Sequence, residues 1–314
     1  MEYRPLGRTG LQTSVLGLGT GTRFGDPKIN PPAQATRLVR AALDLGINYI
    51  DTAAMYLEAE AMLGEALAGV TRDRFILATK FFPAEKDGTP IAPAELRASV
   101  ERSLRRLKLD TIDVLQIHGL RPHWLAPVLA QLGGELEALH REGKYRFLGV
   151  AETIVEDPTH AMVPAAVATG KFTTVLAAYS LLSPWAEATA LDRCAQHGVG
   201  VVAMVAVRRT LRDPERLAAV VRAAHARGEL TELSADRPLD WLLDAHTPDL
   251  AAAGYRFAVA HPAVSCVLAG TLNLEHLQAN LAAVCAPPMP AESLARLRRI
   301  FLQTNPRHWI PYDL

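Results

Sequence analysis

The sequence GINYIDTAAMY (Gly46–Tyr56) contains a strand, an acid and a phenol in close succession. The β-type run Asn48–Ile50 ends in Asp51, and Tyr56 follows five residues later, after a turn of small residues. Parallel α/β barrels present their chemistry in this way, with functional side chains at strand ends and on the loops that follow them. The stretch therefore predicts one strand of such a barrel, with Asp51 and Tyr56 at its mouth.

Two later strands end in side chains that complement this carboxylate and phenol. Phe75–Lys80 (FILATK) ends in a lysine, and Thr111–His118 (TIDVLQIH) ends in a histidine. Because the carboxyl ends of parallel neighbouring strands meet at one edge, we expect these side chains to meet at one mouth. The predicted catalytic set is Asp51, Tyr56, Lys80 and His118.

A strict alternation of strands and helices extends over most of the chain and predicts a parallel sheet. Eight strand–helix units in about 250 residues or more are typical of a closed (β/α)8 TIM barrel. The predicted strands are Leu16–Thr20, Tyr49–Ala53, Phe75–Lys80, Ile112–His118, Phe147–Glu152, Thr173–Tyr179, Gly200–Val207 and Ser265–Thr271. The predicted helices are Ala33–Leu45, Glu58–Ala68, Pro93–Leu107, Trp124–Arg141, Thr159–Thr169, Pro184–His197, Pro214–Ala226 and Leu274–Val284.

Three segments lie outside these eight units. Tyr3–Leu6 and Leu11–Val15 flank a glycine-rich loop and predict an N-terminal β-hairpin. Leu230–Ala260 and Pro290–Leu302 have helical patterns and are expected to cover the barrel mouth or its side. No linker is apparent, so we expect one α/β domain over residues 1–314.

Composition narrows the classes of protein that the chain can belong to. It has 314 residues, 49% of them hydrophobic, which is enough for one large core, and its formal net charge is zero. Without a basic or acidic block, nucleic acid and anionic membranes are poor candidates for partners.

The cysteines and the N-terminal sequence predict a cytoplasmic protein. Cys194, Cys266 and Cys285 are far apart and odd in number, which is typical of reduced thiols and offers no metal-binding spacing. The start, MEYRPLGRTG, lacks the apolar region of a signal peptide, and no run of about 18 apolar residues occurs.

The four strand-end side chains suit proton donation to a carbonyl oxygen. A phenol has a pKa of about 10, and a neighbouring ammonium group favours its ionised form. A carboxylate keeps that ammonium charged, and a histidine can hydrogen-bond the incoming oxygen or relay a proton. One histidine and one carboxylate are too few ligands for a metal, so we expect none. A nicotinamide cofactor is the usual source of the hydride such a reaction needs.

Each side chain also has an ordinary structural interpretation. A strand-end aspartate often caps a helix, a lysine there is usually solvated, and a histidine after an apolar run often lies in the core. Their occurrence together on three successive strands favours the catalytic interpretation.

These motifs resemble those of the aldo-keto reductase superfamily over nearly the whole chain. The matching stretches are Gly46–Tyr56, Ala78–Lys80, Leu115–His118 and Gly270–Asn280, together with the hairpin region Arg4–Thr20. The resemblance implies that Tyr56 is the general acid, that Lys80 lowers its pKa and that Asp51 pairs with Lys80. By the same resemblance, His118 orients the substrate carbonyl or assists proton transfer. It also implies a cofactor, NADPH or less often NADH, extended across the C-terminal face.

The resemblance also assigns cofactor-binding positions, several of which depart from the family pattern. Ala151 and Glu152 replace a usual Ser-Asn pair, Leu176 replaces a glutamine, and Leu272 replaces a basic residue after Thr271. Met204 stands where an aromatic ring commonly stacks on the nicotinamide, and His276 stands where an arginine often stacks on the adenine. The expected cofactor contacts are Thr20, Gly21, Glu152, Met204, Arg208, Gly270, Thr271, His276 and Asn280. NADP(H) is favoured over NAD(H), although Leu272 weakens that preference.

The predicted pocket for the substrate is bounded by the loops that follow the first, third and fourth strands. Phe24, Phe82 and Trp124 are candidates to stack on an apolar or sugar-ring substrate, or else they pack the loops. Arg121, a positive charge at the predicted mouth, is compatible with an anionic substrate.

Two functions are compatible with these residues. The first is an NAD(P)-dependent oxidoreductase, an aldo-keto reductase that reduces aldehydes and ketones or oxidises sugars and alcohols. The alternative is a cofactor-binding regulatory protein on the same barrel with little turnover, favoured by Ala151, Leu176 and Leu272. A Schiff-base lyase is disfavoured, because Asp51 would keep the Lys80 amine charged. The oligomeric state is not determined by the sequence.

Overall fold

The computed structural model describes residues 1–21 and 23–308. The predicted domain, residues 1–314, also contains Thr22 and residues 309–314, which lie outside the described residues. In the described part, eight parallel strands close into a barrel, which confirms the predicted fold. A separate antiparallel hairpin precedes it, formed by β1 (Tyr3–Pro5) and β2 (Gln12–Ser14). The barrel strands are β3 (Leu16–Gly19), β4 (Tyr49–Asp51), β5 (Ile76–Phe81), β6 (Ile112–Leu120), β7 (Tyr145–Glu152), β8 (Thr174–Ala178), β9 (Gly200–Met204) and β10 (Val264–Ala269). Around the barrel they follow one another in the order β10-β3-β4-β5-β6-β7-β8-β9.

The helices begin where the sequence provides suitable first residues. Proline is the first residue of three of them, where its missing N–H costs nothing. The side chain of Asn273 accepts a hydrogen bond from the backbone N–H of Glu275 and so caps another helix. The helices are α1 (Pro32–Asp44), α2 (Ala59–Leu67), α3 (Pro93–Leu107), α4 (Leu125–Arg141), α5 (Met162–Ala168), α6 (Asp192–Gln196), α7 (Pro214–His225), α8 (Leu250–Ala260), α9 (Leu274–Cys285) and α10 (Ala291–Phe301). Within the described residues, none of these helices combines the length and apolarity needed to cross a membrane.

The hairpin packs against one end of the barrel. Leu6 is fully buried and belongs to the same apolar cluster as interior barrel side chains such as Val114 and Val202. Gly7 adopts a φ of +53°, and a Cβ there would lie 2.2 Å from the backbone nitrogen of Gly200. The close approach of hairpin and β9 therefore requires glycine at this position.

Side chains in the barrel alternate between the interior and the surrounding helices, as the period of two for a strand requires. The interior cluster contains Tyr49 of β4, Ala78 of β5 and Val114 of β6. Asp51 and Lys80 lie two residues further along their strands, so they continue the same inward-facing rows toward the mouth. The alternation therefore directs both charged groups into the barrel.

The connection from β9 to β10 differs from the prediction. The predicted seventh helix is α7, but α8 is the helix that packs against β10 and α9 and so completes the barrel layer. Of the predicted helical segment Leu230–Ala260, only α8 and the single 3-10 turn Asp240–Leu242 are helical. The rest is an irregular segment. Pro238 and Leu243 of this segment line a cavity, whereas four leucines of the predicted segment are buried in the apolar core, namely Leu230, Leu233, Leu239 and Leu242.

Some predicted ends are also shifted. The strand predicted as Gly200–Val207 ends at Met204, because Val205 has a φ of +52°, which is incompatible with a strand. The helix predicted over Pro184–His197 consists of a π-helical turn, Glu187–Leu191, followed by the short α6.

Candidate active site

A buried ion pair forms the base of the site. Asp51 ends β4 and Lys80 lies on the neighbouring β5, and their side chains are 5% and 0% exposed. The Lys80 ammonium donates to Asp51 Oδ1 and, at 2.7 Å, to the carbonyl oxygen of Thr52. A buried charge is tolerated only with a partner of opposite charge and further hydrogen bonds, and this lysine has both.

Tyr56 lies above this pair because the chain after β4 continues along β5 before it turns. The backbone N–H of Ala54 donates to the carbonyl of Lys80 at 3.1 Å, and that of Tyr56 donates to Ala53 at 3.0 Å. Lys80 Nζ is 5.3 Å from the centroid of the Tyr56 ring, and the His118 ring is 5.8 Å from it in an edge-on arrangement. The structure thus brings all four predicted catalytic side chains together.

The pKa of Tyr56 is raised, in contrast to the prediction that Lys80 would lower it. Burial is the main cause, and the Asp51 carboxylate adds to it. The charge of Lys80 cannot offset these effects, because Asp51 and the Thr52 carbonyl already engage the ammonium. The phenol is therefore held in its protonated form.

The other two groups are also shifted by burial. Burial lowers the pKa of His118 to about 3, and the nearby Lys80 charge acts in the same direction. The imidazole is therefore neutral at neutral pH and presents one N–H donor. Burial likewise lowers the pKa of Lys80, but the Asp51 carboxylate opposes this shift.

A cavity of about 830 Å³, the main cavity, opens beside these four side chains and is lined by Asp51 and Tyr56. Most of the predicted cofactor contacts line it too, namely Thr20, Gly21, Met204, Gly270, Thr271, His276 and Asn280. Its inner wall is apolar and includes Leu176 and Leu268. Side chains of α7 and of the irregular segment that follows it, including Leu217 and Arg237, line the opposite side.

A second cavity of about 780 Å³ continues from the first at its outer end. The two share lining residues that include Thr271 and His276. Arg23, Arg37 and Arg212 line this second cavity, and Arg212 lines both. The family resemblance did not identify these arginines as cofactor contacts. They lie on the first barrel loop, on α1 and after β9, and are therefore far apart in the chain.

Two predicted cofactor contacts, Glu152 and Arg208, line neither cavity. Glu152 follows the inward-facing Ala151 and therefore points outward, where it accepts hydrogen bonds from His160 Nδ1 at 2.9 Å and from the N–H of Ala178. Arg208 is buried and lines neither cavity. The resemblance assigned both positions, and Glu152 shows that strand alternation decides whether a residue near a strand end faces the mouth.

The three predicted aromatic contacts divide by exposure. Phe24 and Trp124 are 2% and 4% exposed, so they pack the loops, whereas Phe82 is 43% exposed. The Phe82 ring lies 6.4 Å from the ring of His118, edge-on. Arg121 is not available for an anion, because it is paired with Glu156 and stacks on Trp124.

The two cavities together fit an extended dinucleotide. The inner end is apolar and adjoins the Tyr56 phenol, as a flat ring that exchanges hydride requires, whereas the outer end is cationic, as phosphates require. His276, in the first turn of α9, lines both cavities, and a helix N-terminus also favours anions.

Comparisons with known proteins agree with this geometry. The sequence model of the aldo/keto reductase family matches residues 15–301. An L-galactose dehydrogenase from Arabidopsis thaliana is 38% identical over 157 residues, 48% of either chain. A 6-dehydroglucose reductase from Novosphingobium aromaticivorans is 38% identical over 159 residues, 48% of this chain and 51% of the relative. The matches thus span about half the length of these curated relatives.

Solved structures match over a greater length. An aldo-keto reductase from Bacillus halodurans, solved in its holo form, is 28% identical with a TM-score of 0.73 and 96% coverage of both chains. A putative aldo-keto reductase from Pseudomonas aeruginosa is 29% identical with a TM-score of 0.65, covering 90% of this chain and 93% of that one.

Proposed function

This chain belongs to the aldo/keto reductase family, and we propose that it is an NADP(H)-dependent oxidoreductase that reduces an aldehyde, ketone or sugar carbonyl, or oxidises the corresponding alcohol. The observation that carries the proposal is the position of Tyr56. Its phenol lines the main cavity directly above the buried Lys80–Asp51 pair and beside the His118 ring. A protonated donor and a neutral hydrogen-bonding imidazole then face the same point.

The proposed chemistry divides between the cofactor and the protein. A bound nicotinamide would supply or accept the hydride. Tyr56 donates its proton to the carbonyl oxygen as negative charge develops there, and its raised pKa permits this because an alkoxide is a stronger base than a phenolate. His118 is neutral and donates a hydrogen bond to the same oxygen, which orients the carbonyl and stabilises the developing charge.

The preference for NADP(H) is supported by the second cavity. Leu272 lacks the charge that a 2′-phosphate needs, but Arg23, Arg37 and Arg212 line the cavity that contains it. An arginine binds phosphate through a planar, permanently charged fork. We therefore assign the contacts to the 2′-phosphate to these arginines, with Arg212 the central one because it lines both cavities.

The test is a fluorescence titration of the protein with NADPH and NADH, followed by turnover with a panel of neutral sugars and aldehydes. NADPH is expected to bind in the micromolar range and support turnover.

Arg212→Ala should weaken NADPH binding by about tenfold or more, since a hydrogen bond to a charged group contributes about 1.5–3 kcal/mol. NADH binding should change by less than about twofold, because NADH lacks the 2′-phosphate that such a bond would hold. Arg209→Ala is the matched control, because Arg209 is exposed on the same turn and lines neither cavity. Failure of both cofactors to bind would contradict the proposal.

The substrate side of the mouth favours a neutral compound. Phe82 is exposed there, Met55 and Leu57 flank Tyr56 and are also exposed, and the charge of Arg121 is neutralised by Glu156. An exposed aromatic ring packs well against the C–H face of a sugar. The two curated relatives are named for sugar substrates, which supports a neutral sugar here.

The alternative is a cofactor-binding protein with little turnover. It is favoured by the interior positions Ala151 and Leu176, which offer no amide or hydroxyl to hold a carboxamide. The same titration separates the two functions, since tight NADPH binding without turnover of any substrate would support the alternative.

The pKa shifts predict a different pH dependence for each reaction direction. A raised pKa keeps Tyr56 protonated, and His118 is neutral above about pH 3, so the rate of reduction should be flat from about pH 5 to pH 8. Oxidation needs the phenolate, whose fraction rises about tenfold per pH unit below the pKa, so its rate should rise accordingly over the same range. The measurement is kcat at saturating substrate in each direction. A reduction rate that falls tenfold per unit in this range would contradict the raised pKa of Tyr56.

A further inference from the structure

One buried polar side chain in contact with the catalytic group has no role in the mechanism described above. Gln116 lies on β6, two residues before His118, and is 1% exposed. Its Nε2 amide donates to Asp51 Oδ2 at 2.8 Å, while the other carboxylate oxygen accepts from Lys80. Both oxygens of Asp51 are therefore engaged, each by a different strand.

The barrel is built to hold this glutamine in place. The strand register sets Gln116 beside Lys80 of β5 on one side and beside Gly149 of β7 on the other. A Cβ at position 149 would lie 3.0 Å from Gln116 Cγ and 2.3 Å from Thr174 Oγ1. The absence of a side chain at Gly149 thus leaves the space that Gln116 occupies.

The Tyr56 hydroxyl, in contrast, makes no hydrogen bond to any of residues 1–21 and 23–308. Tyr56 and Asp51 both line the main cavity, and the Asp51 carboxylate contributes to the raised pKa of the Tyr56 phenol. A phenol donates a strong hydrogen bond to any free carboxylate oxygen within reach. Because Asp51 and Tyr56 line the same cavity, an Asp51 oxygen without another partner would compete for the proton that Tyr56 must deliver to the substrate.

We propose that Gln116 is a positioning residue that occupies Asp51 Oδ2, so that the carboxylate pairs with Lys80 and leaves the Tyr56 proton for the substrate. This inference rests on the proposed role of Tyr56 as general acid. Gln116 lines neither cavity, so it acts through Asp51 and not by contact with cofactor or substrate.

Two substitutions test the proposal. Gln116→Leu removes the amide and should lower kcat by about tenfold to a hundredfold, the effect of one charge-assisted hydrogen bond, with the NADPH dissociation constant changed by less than about twofold. Gln116→Glu has nearly the same shape and can donate to Asp51 only when its carboxyl is protonated. Its kcat should resemble that of the leucine variant at alkaline pH and recover toward wild type as pH falls. Recovery should begin above the usual glutamate pKa of about 4.3, because two adjacent carboxylates share a proton.

A readout on the protein without cofactor separates this inference from the proposed function. If Asp51 Oδ2 captures the phenol, the near-ultraviolet tyrosine absorption of Gln116→Leu should shift to longer wavelength relative to wild type. The shift should vanish when Tyr56→Phe is added. Circular dichroism establishes that each variant is folded.

The outcomes are distinct. A leucine variant with wild-type kcat, or a glutamate variant whose pH profile parallels wild type, would overturn the role of Gln116. If the wild-type protein has no turnover at all, the proposed function fails, and the tyrosine absorption shift alone then decides whether Gln116 controls Asp51.

Discussion

Tyr56→Phe is expected to lower kcat for carbonyl reduction by about a hundredfold to ten-thousandfold, which is the usual contribution of a positioned general acid. The substitution removes only the hydroxyl that faces the cavity and retains the ring that packs beside Lys80 and His118. NADPH affinity should change by less than about twofold. The measurement is steady-state kinetics in parallel with a fluorescence titration, which separates chemistry from binding.

Tyr145→Phe is the matched control for this experiment. Tyr145 begins β7, at the opposite end of the strand from the mouth, and its hydroxyl donates to the carbonyl of Leu136 at 2.9 Å. That variant should keep its kcat within about twofold while losing some stability, since one buried hydrogen bond contributes about 1 kcal/mol. A Tyr56→Phe enzyme that keeps its kcat would show that another group donates the proton.

Lys80→Met is expected to reduce the free energy of unfolding by about 3–5 kcal/mol, the typical cost of removing one partner of a buried ion pair. The side chains of both partners are almost completely buried, so the remaining Asp51 carboxylate could not be solvated. Gln116 would still donate to one of its oxygens, but a neutral amide does not neutralise the charge. The measurement is urea denaturation of wild type and variant under identical conditions.

The double variant Asp51→Asn, Lys80→Met is the control for that loss. It removes both charges, so no unpaired charge stays buried, and it should recover at least half of the stability lost by the single variant. Both variants lack the charged lysine and are expected to have little activity, so stability is what distinguishes them. A loss below about 1 kcal/mol in Lys80→Met would mean that the pair is solvated.

The barrel and the four side chains grouped at its mouth could be predicted because they depend on local patterns. The predicted strand ends at Asp51, Lys80 and His118, and the helices between these strands, follow from hydrophobic repeats of 2 and 3.6 residues. The same alternation could have excluded Glu152, which is one residue out of phase with the interior row, and could have identified Gln116, which is in phase with His118.

The helix that completes the barrel between β9 and β10 could not be chosen in the same way. Both α7 and α8 have apolar faces, and only packing shows that α8 lies on β10 and α9. Val205, whose positive φ ends β9 early, carries no local sequence signal, since valine favours strands.

The sequence by itself determined the parallel barrel and the identity of the four side chains at the mouth, because both depend on residue type and on the spacing of residues and elements along the chain. The tertiary structure decided which arginines face the cavities, that Phe24 and Trp124 are buried, and that the pKa of Tyr56 rises. These properties depend on desolvation and on distances between residues far apart in the chain. Lys80 illustrates the difference, because its presence at a strand end is evident from the sequence, whereas its engagement by Asp51 and the Thr52 carbonyl is set by how the strands pack.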